Sequence, residues 1–234
     1  MDRRQFNSVS LSIGTFLATI TMGQAYALTL ADLTNADATK GLKTALEKGA
    51  LSAVNILGVT NGFLGNDKVR IPLPGHLEDG AKLLRNFGMG AKVDELITAM
   101  NRGAEQAVPF AKDLLVKAVQ GMSVTDAKGI LSGGDTAVTD FFATKTRPAL
   151  GTKFLPVVSK ATEKVGLADK YNQVAGQAAS LGLMKKDDAN IQQYVTGKAL
   201  DGLFLMISEE EKKIRQNPVA YGSTILTKVF GALK

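Results

Sequence analysis

VDELITAMNRGAEQAVPFAKDLLVKAVQGM, residues 93–122, decides the fold. Val93, Ile97, Met100, Ala104, Ala107, Ala111, Leu114, Ala118 and Met122 recur at steps of three and four. That spacing gathers them on one face of an α-helix, where a strand would alternate them. Pro109 falls on the opposite face. It removes one backbone hydrogen bond and its ring meets the carbonyl of Glu105, so the helix is read as kinked or broken there.

The same period extends in both directions. Residues 42, 45, 46, 50, 53, 54 and 57 form an apolar stripe between Ala36 and Leu57, and Asn61-Gly62 ends it. Val69-Arg70-Ile71-Pro72-Leu73-Pro74 comes next, with two prolines that forbid a regular ladder, so a short extended segment is expected. A helix should start near Gly75 and stop by Gly88. Ser123-x-x-Asp126 has the form of a capping box opening a short helix toward Leu131. Asp135 is placed to cap a helix reaching about Thr146, and others are expected over about 152–165 and 168–181. After the polar loop at Lys185 and Lys186, Asp187 is read as the cap of a long helix to about Gln216. Asn217-Pro218 then starts a last one, with a stripe of Ile225, Leu226, Val229, Phe230 and Leu233. The expected fold is all-α: one compact multi-helix bundle, with a single irregular segment near 58–75.

The N-terminus reads as an export signal. MDRRQF is a positively charged start, Val9 to Met22 is apolar, and Ala25-Tyr26-Ala27 has the small-x-small form of a signal-peptidase site. An apolar stretch of about 14 residues is short of the roughly 20 that span a bilayer. Residues 1–27 are therefore expected to be cleaved, leaving 28–234 as one periplasmic domain without a transmembrane segment. Arg3-Arg4-Gln5-Phe6 fits a twin-arginine signal in part, and a general secretory signal equally. Losing Asp2, Arg3 and Arg4 with the signal takes the net charge from +6 to +5. That balance suits anionic lipid or cell-wall polymers. Export, scattered basic residues and the lack of aromatic-basic alternation argue against nucleic acid. Cysteine is absent, which excludes disulfides, thiolate zinc sites, thiol catalysis and lipoprotein anchoring.

Catalytic groups are sparse. His76 is the sole histidine and stands beside Pro74 and Gly75. No Gly-x-Ser-x-Gly elbow, phosphate loop, dinucleotide fingerprint or EF-hand loop occurs, and neither a metal nor a cofactor is expected. Gly129-Ile130-Leu131-Ser132-Gly133-Gly134 lacks the lysine of a phosphate cradle. Asp126 and Asp135 have a structural use as caps.

Two polar sets resist that dismissal. In ALDGLFLMISEEEKKIRQNP, residues 199–218, Leu200, Leu203, Phe204, Ile207 and Ile214 share a helix face. A rotation of 100° per residue puts Glu211 in the middle of it, Glu210 on its margin, and Glu209, Lys212 and Lys213 outside. Arg215, four residues on, is the natural partner of Glu211. The second set is Asn101, Arg102 and Glu105, with Asn101 bordering the apolar stripe. Arg102 and Glu105 lie mostly opposite it, which reads as solvent exposure.

Met100-Asn101-Arg102-x-Ala104-Glu105 and Met122-x-x-x-Asp126-Ala127-x-x-Ile130-Leu131-x-Gly133 occur in that order. After them come Tyr194-Val195-Thr196-x-Lys198-Ala199-Leu200-Asp201-Gly202-Leu203-Phe204 and Glu210-Glu211-Lys212-Lys213-Ile214-Arg215-x-Asn217-Pro218. This series resembles the bacterial Domain of Unknown Function 4197 family over nearly all of the chain after the signal. Gly103 departs from the usual Ala, and Tyr221-Gly222 from Arg-Thr. The resemblance implies export and a helical fold, and implies no reaction.

Three functions compete. The first is an exported, non-enzymatic envelope protein that binds a small lipid-like or acidic ligand, with Arg102 or Arg215 meeting its head group, or a partner. The second is a structural or assembly factor that acts by contact with another envelope protein. The third is a carboxylate-dependent hydrolase built on Glu105 and Glu211, with Asn101 positioning. Asn101, Arg102, Glu105, Glu211 and Arg215 are the candidate residues.

Overall fold

The computed structural model of the chain describes residues 35–134, 136–182 and 189–217. The signal, Asp135, the Lys185–Asp187 region and the expected last helix from Pro218 lie outside them. Among the described residues there is no strand, and no helix is long and apolar enough to cross a membrane.

Helix α1 spans Asn35–Leu57, and all seven residues of its predicted stripe, from Leu42 to Leu57, are buried. Helix α2 is Gly75–Asn86 and α3 is Gly90–Ala107. Pro109 resolves as a break: a 3₁₀ turn covers Val108–Ala111 before α4 runs from Lys112 to Gln120. The tighter turn changes the rotational phase of α4, so Leu115 and Val119 occupy the core in place of the expected Leu114 and Ala118. Helix α5, Val124–Ser132, carries the expected reciprocal cap. Ser123 Oγ accepts from the Asp126 N–H, and Asp126 accepts from the Ser123 N–H.

Helix α6 departs from the sequence reading. Two helices separated near 147–151 were expected, but Ala137–Thr162 is continuous and contains Pro148 and Pro156. Both prolines lie on its exposed side. Leu150, Phe154 and Val158 form one buried row at steps of four across the interruption, and burying each gains about 1.5–3 kcal/mol. That burial offsets the hydrogen bonds that the prolines remove. Helix α7 spans Gly166–Ser180 and α8 spans Ile191–Gln216. Helix α8 is capped by Asn190, whose side chain accepts from the Gln193 N–H.

Helices α6 and α8 are the centre of the packing. Helix α6 lies against α3, α4, α5 and α8, while α8 also meets α1, α3 and α7. Helix α2 is peripheral and packs mainly on α3. At Gly103 a methyl group would stand 3.2 Å from Ala161 Cβ on α6, so the glycine that departs from the family pattern sits at a close helix crossing.

Candidate functional site

Residues 58–74 form a loop of turns and one extended segment held between α3 and α8. In the extended part, Val69, Ile71 and Leu73 are buried while Lys68, Arg70 and Pro72 face outward. This is the two-residue alternation of a strand with one wet face. Its hydrogen-bonding partner is a side chain. Asn101 Oδ1 accepts from the Ile71 N–H at 2.9 Å, and Asn101 Nδ2 donates to the Ile71 carbonyl at 2.9 Å and to the Ile97 carbonyl at 2.8 Å. The amide thus reproduces the two-bond exchange of an antiparallel residue pair.

Glu105 secures the other half of the loop. Its Oε1 accepts from the backbone N–H groups of Phe63 (3.1 Å) and Leu64 (3.0 Å), and its Oε2 from Arg102 at 2.5 Å. Arg102 also donates to Asn61 Oδ1 at 2.8 Å. Asn61 has a φ of 68°, a left-handed conformation that asparagine tolerates better than most residues. Glu105 was expected to be exposed, and that reading is corrected: its side chain is only 4% accessible. The loop covers the face of α3 that carries Asn101 and Glu105.

Helix α8 grips the loop from the opposite side. Tyr194 Oη donates to the Pro72 carbonyl at 3.2 Å, and Lys68 pairs with Glu209 at 2.7 Å. The Lys68 hydrogen bond holds the Glu209 carboxyl below its usual range. Gly202 leaves room for the buried Phe63 ring. A methyl group there would lie 2.7 Å from Phe63 Cε1 and 3.3 Å from Val69 Cβ.

Glu211 and Arg215 lie elsewhere in the molecule. Arg215 donates to Glu211 Oε1 through Nε (2.9 Å) and Nη2 (2.7 Å), and Nη2 also reaches the Ile130 carbonyl on α5 at 3.4 Å. The surrounding space of about 20 Å³ is lined by Ala45, Leu46, Ala50, Val138, Ile207 and Ile214 with Glu211. That is room on the scale of one water molecule, far below any organic ligand. Glu210, assigned to the helix margin, is also buried and pairs with Lys213 at 2.6 Å. The five candidate residues therefore divide into a loop clamp, formed by Asn101, Arg102 and Glu105, and a tie between α8 and α5, formed by Glu211 and Arg215. Glu105 and Glu211 do not face a common space.

Two clefts flank the extended segment. The larger, about 410 Å³, lies between it and α2, with apolar walls from Pro72, Leu73, Ala81 and Ile97. Asp67, Arg70, Glu78, Lys82 and Arg85 supply its charges. Arg85 is paired with Asp94 at 2.6 Å, which holds the Asp94 carboxyl below its usual range. The smaller cleft, about 200 Å³, lies toward α8 and includes Lys68, Arg70, Pro72, Lys198 and Asp201. Arg70 and Pro72 line both. Arg70 was not among the five candidates, although its outward position is implied by the alternation Val69-x-Ile71-x-Leu73.

The family model described as "Protein of unknown function (DUF4197)" matches residues 32–231. The chain belongs to this family. No curated protein and no solved structure is significantly similar to it. Two of the four segments that carry the DUF4197 resemblance meet the 58–74 loop: Asn101, Arg102 and Glu105 hold it from α3, and Tyr194 and Gly202 from α8. The other two meet each other, because Met122 to Gly133 forms α5 and its cap, and Arg215 of the fourth segment reaches the Ile130 carbonyl there.

Proposed function

We propose that this DUF4197 protein is an exported, non-catalytic component of the bacterial envelope. It binds a small ligand with an acidic head and an apolar body in the cleft between segment 67–73 and α2. The observation that carries this reading is the cleft itself. Its volume of about 410 Å³ lies within the roughly 300–1,000 Å³ of small-molecule sites, and one wall is a segment clamped from both sides. Arg70 has no ion-pair partner within 4 Å among the described residues, so its charge is available to a ligand acid. Arg102 and Arg215 are engaged by Glu105 and Glu211, which moves the head-group role from those two arginines to Arg70. Both glutamates are occupied by those pairs and face no common space, which supports binding over hydrolysis.

Native mass spectrometry of the full-length gene product, recovered from its own periplasm, tests the reading. An acidic amphiphile should accompany the protein and be lost in Arg70→Ala. The mature N-terminus should be Leu28. Repeated spectra of ligand-free protein, or a product retained in the cytoplasm with residues 1–27 attached, would overturn it.

A second reading, contact with another envelope protein, is favoured by Leu83, Phe87 and Met89 around the α2–α3 turn. These large apolar residues are exposed, Phe87 to 79%. Photo-crosslinking from position 87 in cells should then give one discrete adduct, and a smear or none would remove it.

A further inference from the structure

The smaller cleft, toward α8, is a site of different character. It is lined by Lys68, Arg70 and Lys198, with Asp201 as its acid. Asp201 is paired with Arg147 at 2.6 Å, and Lys68 with Glu209. Two cations remain without an ion-pair partner among the described residues, Arg70 and Lys198. Lys198 lies over the Tyr194 ring at 5.8 Å, a contact that leaves its ammonium charge uncompensated. Counting the cleft's charged residues with the ion-pair partners Arg147 and Glu209 leaves an excess of two positive charges beside a fixed backbone. Such a recess concentrates anions.

We infer that this second cleft binds a second acidic group of the same ligand, so that the ligand is an amphiphile carrying two adjacent acidic groups, of the diphosphate class. The inference rests on the proposed function. Arg70 borders both clefts and contributes to both groups, while Lys198 serves only the second. The apolar body occupies the larger cleft against Leu73, Ala81 and Ile97. Lys198 is thus a specificity-determining residue: it separates head groups with one acidic group from those with two. The wall between the clefts does not depend on it, because segment 68–72 is held by Asn101, Tyr194 and Glu209.

The test compares farnesyl monophosphate, farnesyl diphosphate and inorganic pyrophosphate by isothermal titration against the full mature protein and its Lys198→Ala and Lys198→Arg variants. The wild type should bind farnesyl diphosphate at least tenfold more tightly than the monophosphate. Lys198→Ala should erase that preference while leaving monophosphate affinity unchanged, and Lys198→Arg should restore it. Equal wild-type affinity for the two farnesyl compounds would overturn the second cleft while leaving the larger one as a ligand site. Equal weakening of both by Lys198→Ala would do the same. If pyrophosphate binds as tightly as farnesyl diphosphate, the second cleft stands and the apolar body of the proposed function falls. If no probe binds, both readings fall.

Discussion

Glu105 on α3 and Glu211 on α8 are two buried glutamates, each with an arginine within one helical turn of sequence, and they perform different work. Glu105 accepts two backbone N–H groups from a segment some forty residues earlier, and its arginine extends the grip to Asn61. Glu211 is tied to a side chain of its own helix, and that arginine reaches the carbonyl of Ile130 on α5. The first arrangement fixes a loop that lacks secondary structure to pin it. The second links α8 to α5, two helices that each pack against α1 and α6. A buried carboxylate that satisfies backbone donors is therefore harder to replace than one that satisfies another side chain.

The largest expected effect tests that difference. Glu105→Ala removes the acceptor for two N–H groups and leaves the Arg102 charge without its partner, at a cost of about 3–5 kcal/mol in urea unfolding. A cost under about 1 kcal/mol would show that the loop does not depend on the clamp. Asn101→Ala should cost roughly 2–3 kcal/mol, since both Ile71 hydrogen bonds are lost and the Ile71 N–H is buried.

These two residues also show what the sequence could and could not reveal. The extended segment at 69–74 was legible, as were α1 and the cap of α5. The burial of Glu105 was not, because helical periodicity reports one covered face and the second cover is a distant, irregular segment. Nor was the continuity of α6. Two prolines read as a boundary until it is known that Leu150, Phe154 and Val158 face a packed neighbour. Locally, a proline's cost can be estimated, but the burial that offsets it depends on what lies across the helix.

Gly202→Ala sharpens the comparison from the α8 side. The added methyl group meets the rigid, buried Phe63 ring, so overpacking of about 1–3 kcal/mol should exceed the gain of roughly 1 kcal/mol in helix propensity. A stabilised variant would mean that the loop yields easily.

Glu211→Leu is expected to cost about 1–2 kcal/mol, less than Glu105→Ala. It leaves Arg215 without that carboxylate, but the surroundings include Ala45, Leu46, Val138, Ile207 and Ile214, against which a leucine gains apolar burial. A loss comparable to that of Glu105→Ala would break the distinction between the two glutamates.

The smallest effect concerns pH. Hydrogen bonds from the Ser123 N–H and hydroxyl hold the Asp126 carboxyl below its ordinary value of 3.8. A depressed folded-state pKa contributes stability that is present above 3.8 and is lost as pH falls from there through the lower folded value. Asp126→Asn should therefore flatten the stability profile in that acid window and leave its slope at neutral pH unchanged. An identical acid limb in both proteins would contradict the capping role.

Both proposed clefts have the loop at 58–74 as a wall, so that loop must be as fixed as the helices that hold it. Amide hydrogen exchange at Phe63, Leu64 and Ile71 in the wild-type protein measures this directly. Those three amides should exchange as slowly as amides in the interior of α8. Exchange as fast as that of the exposed loop residue Thr60 would contradict it.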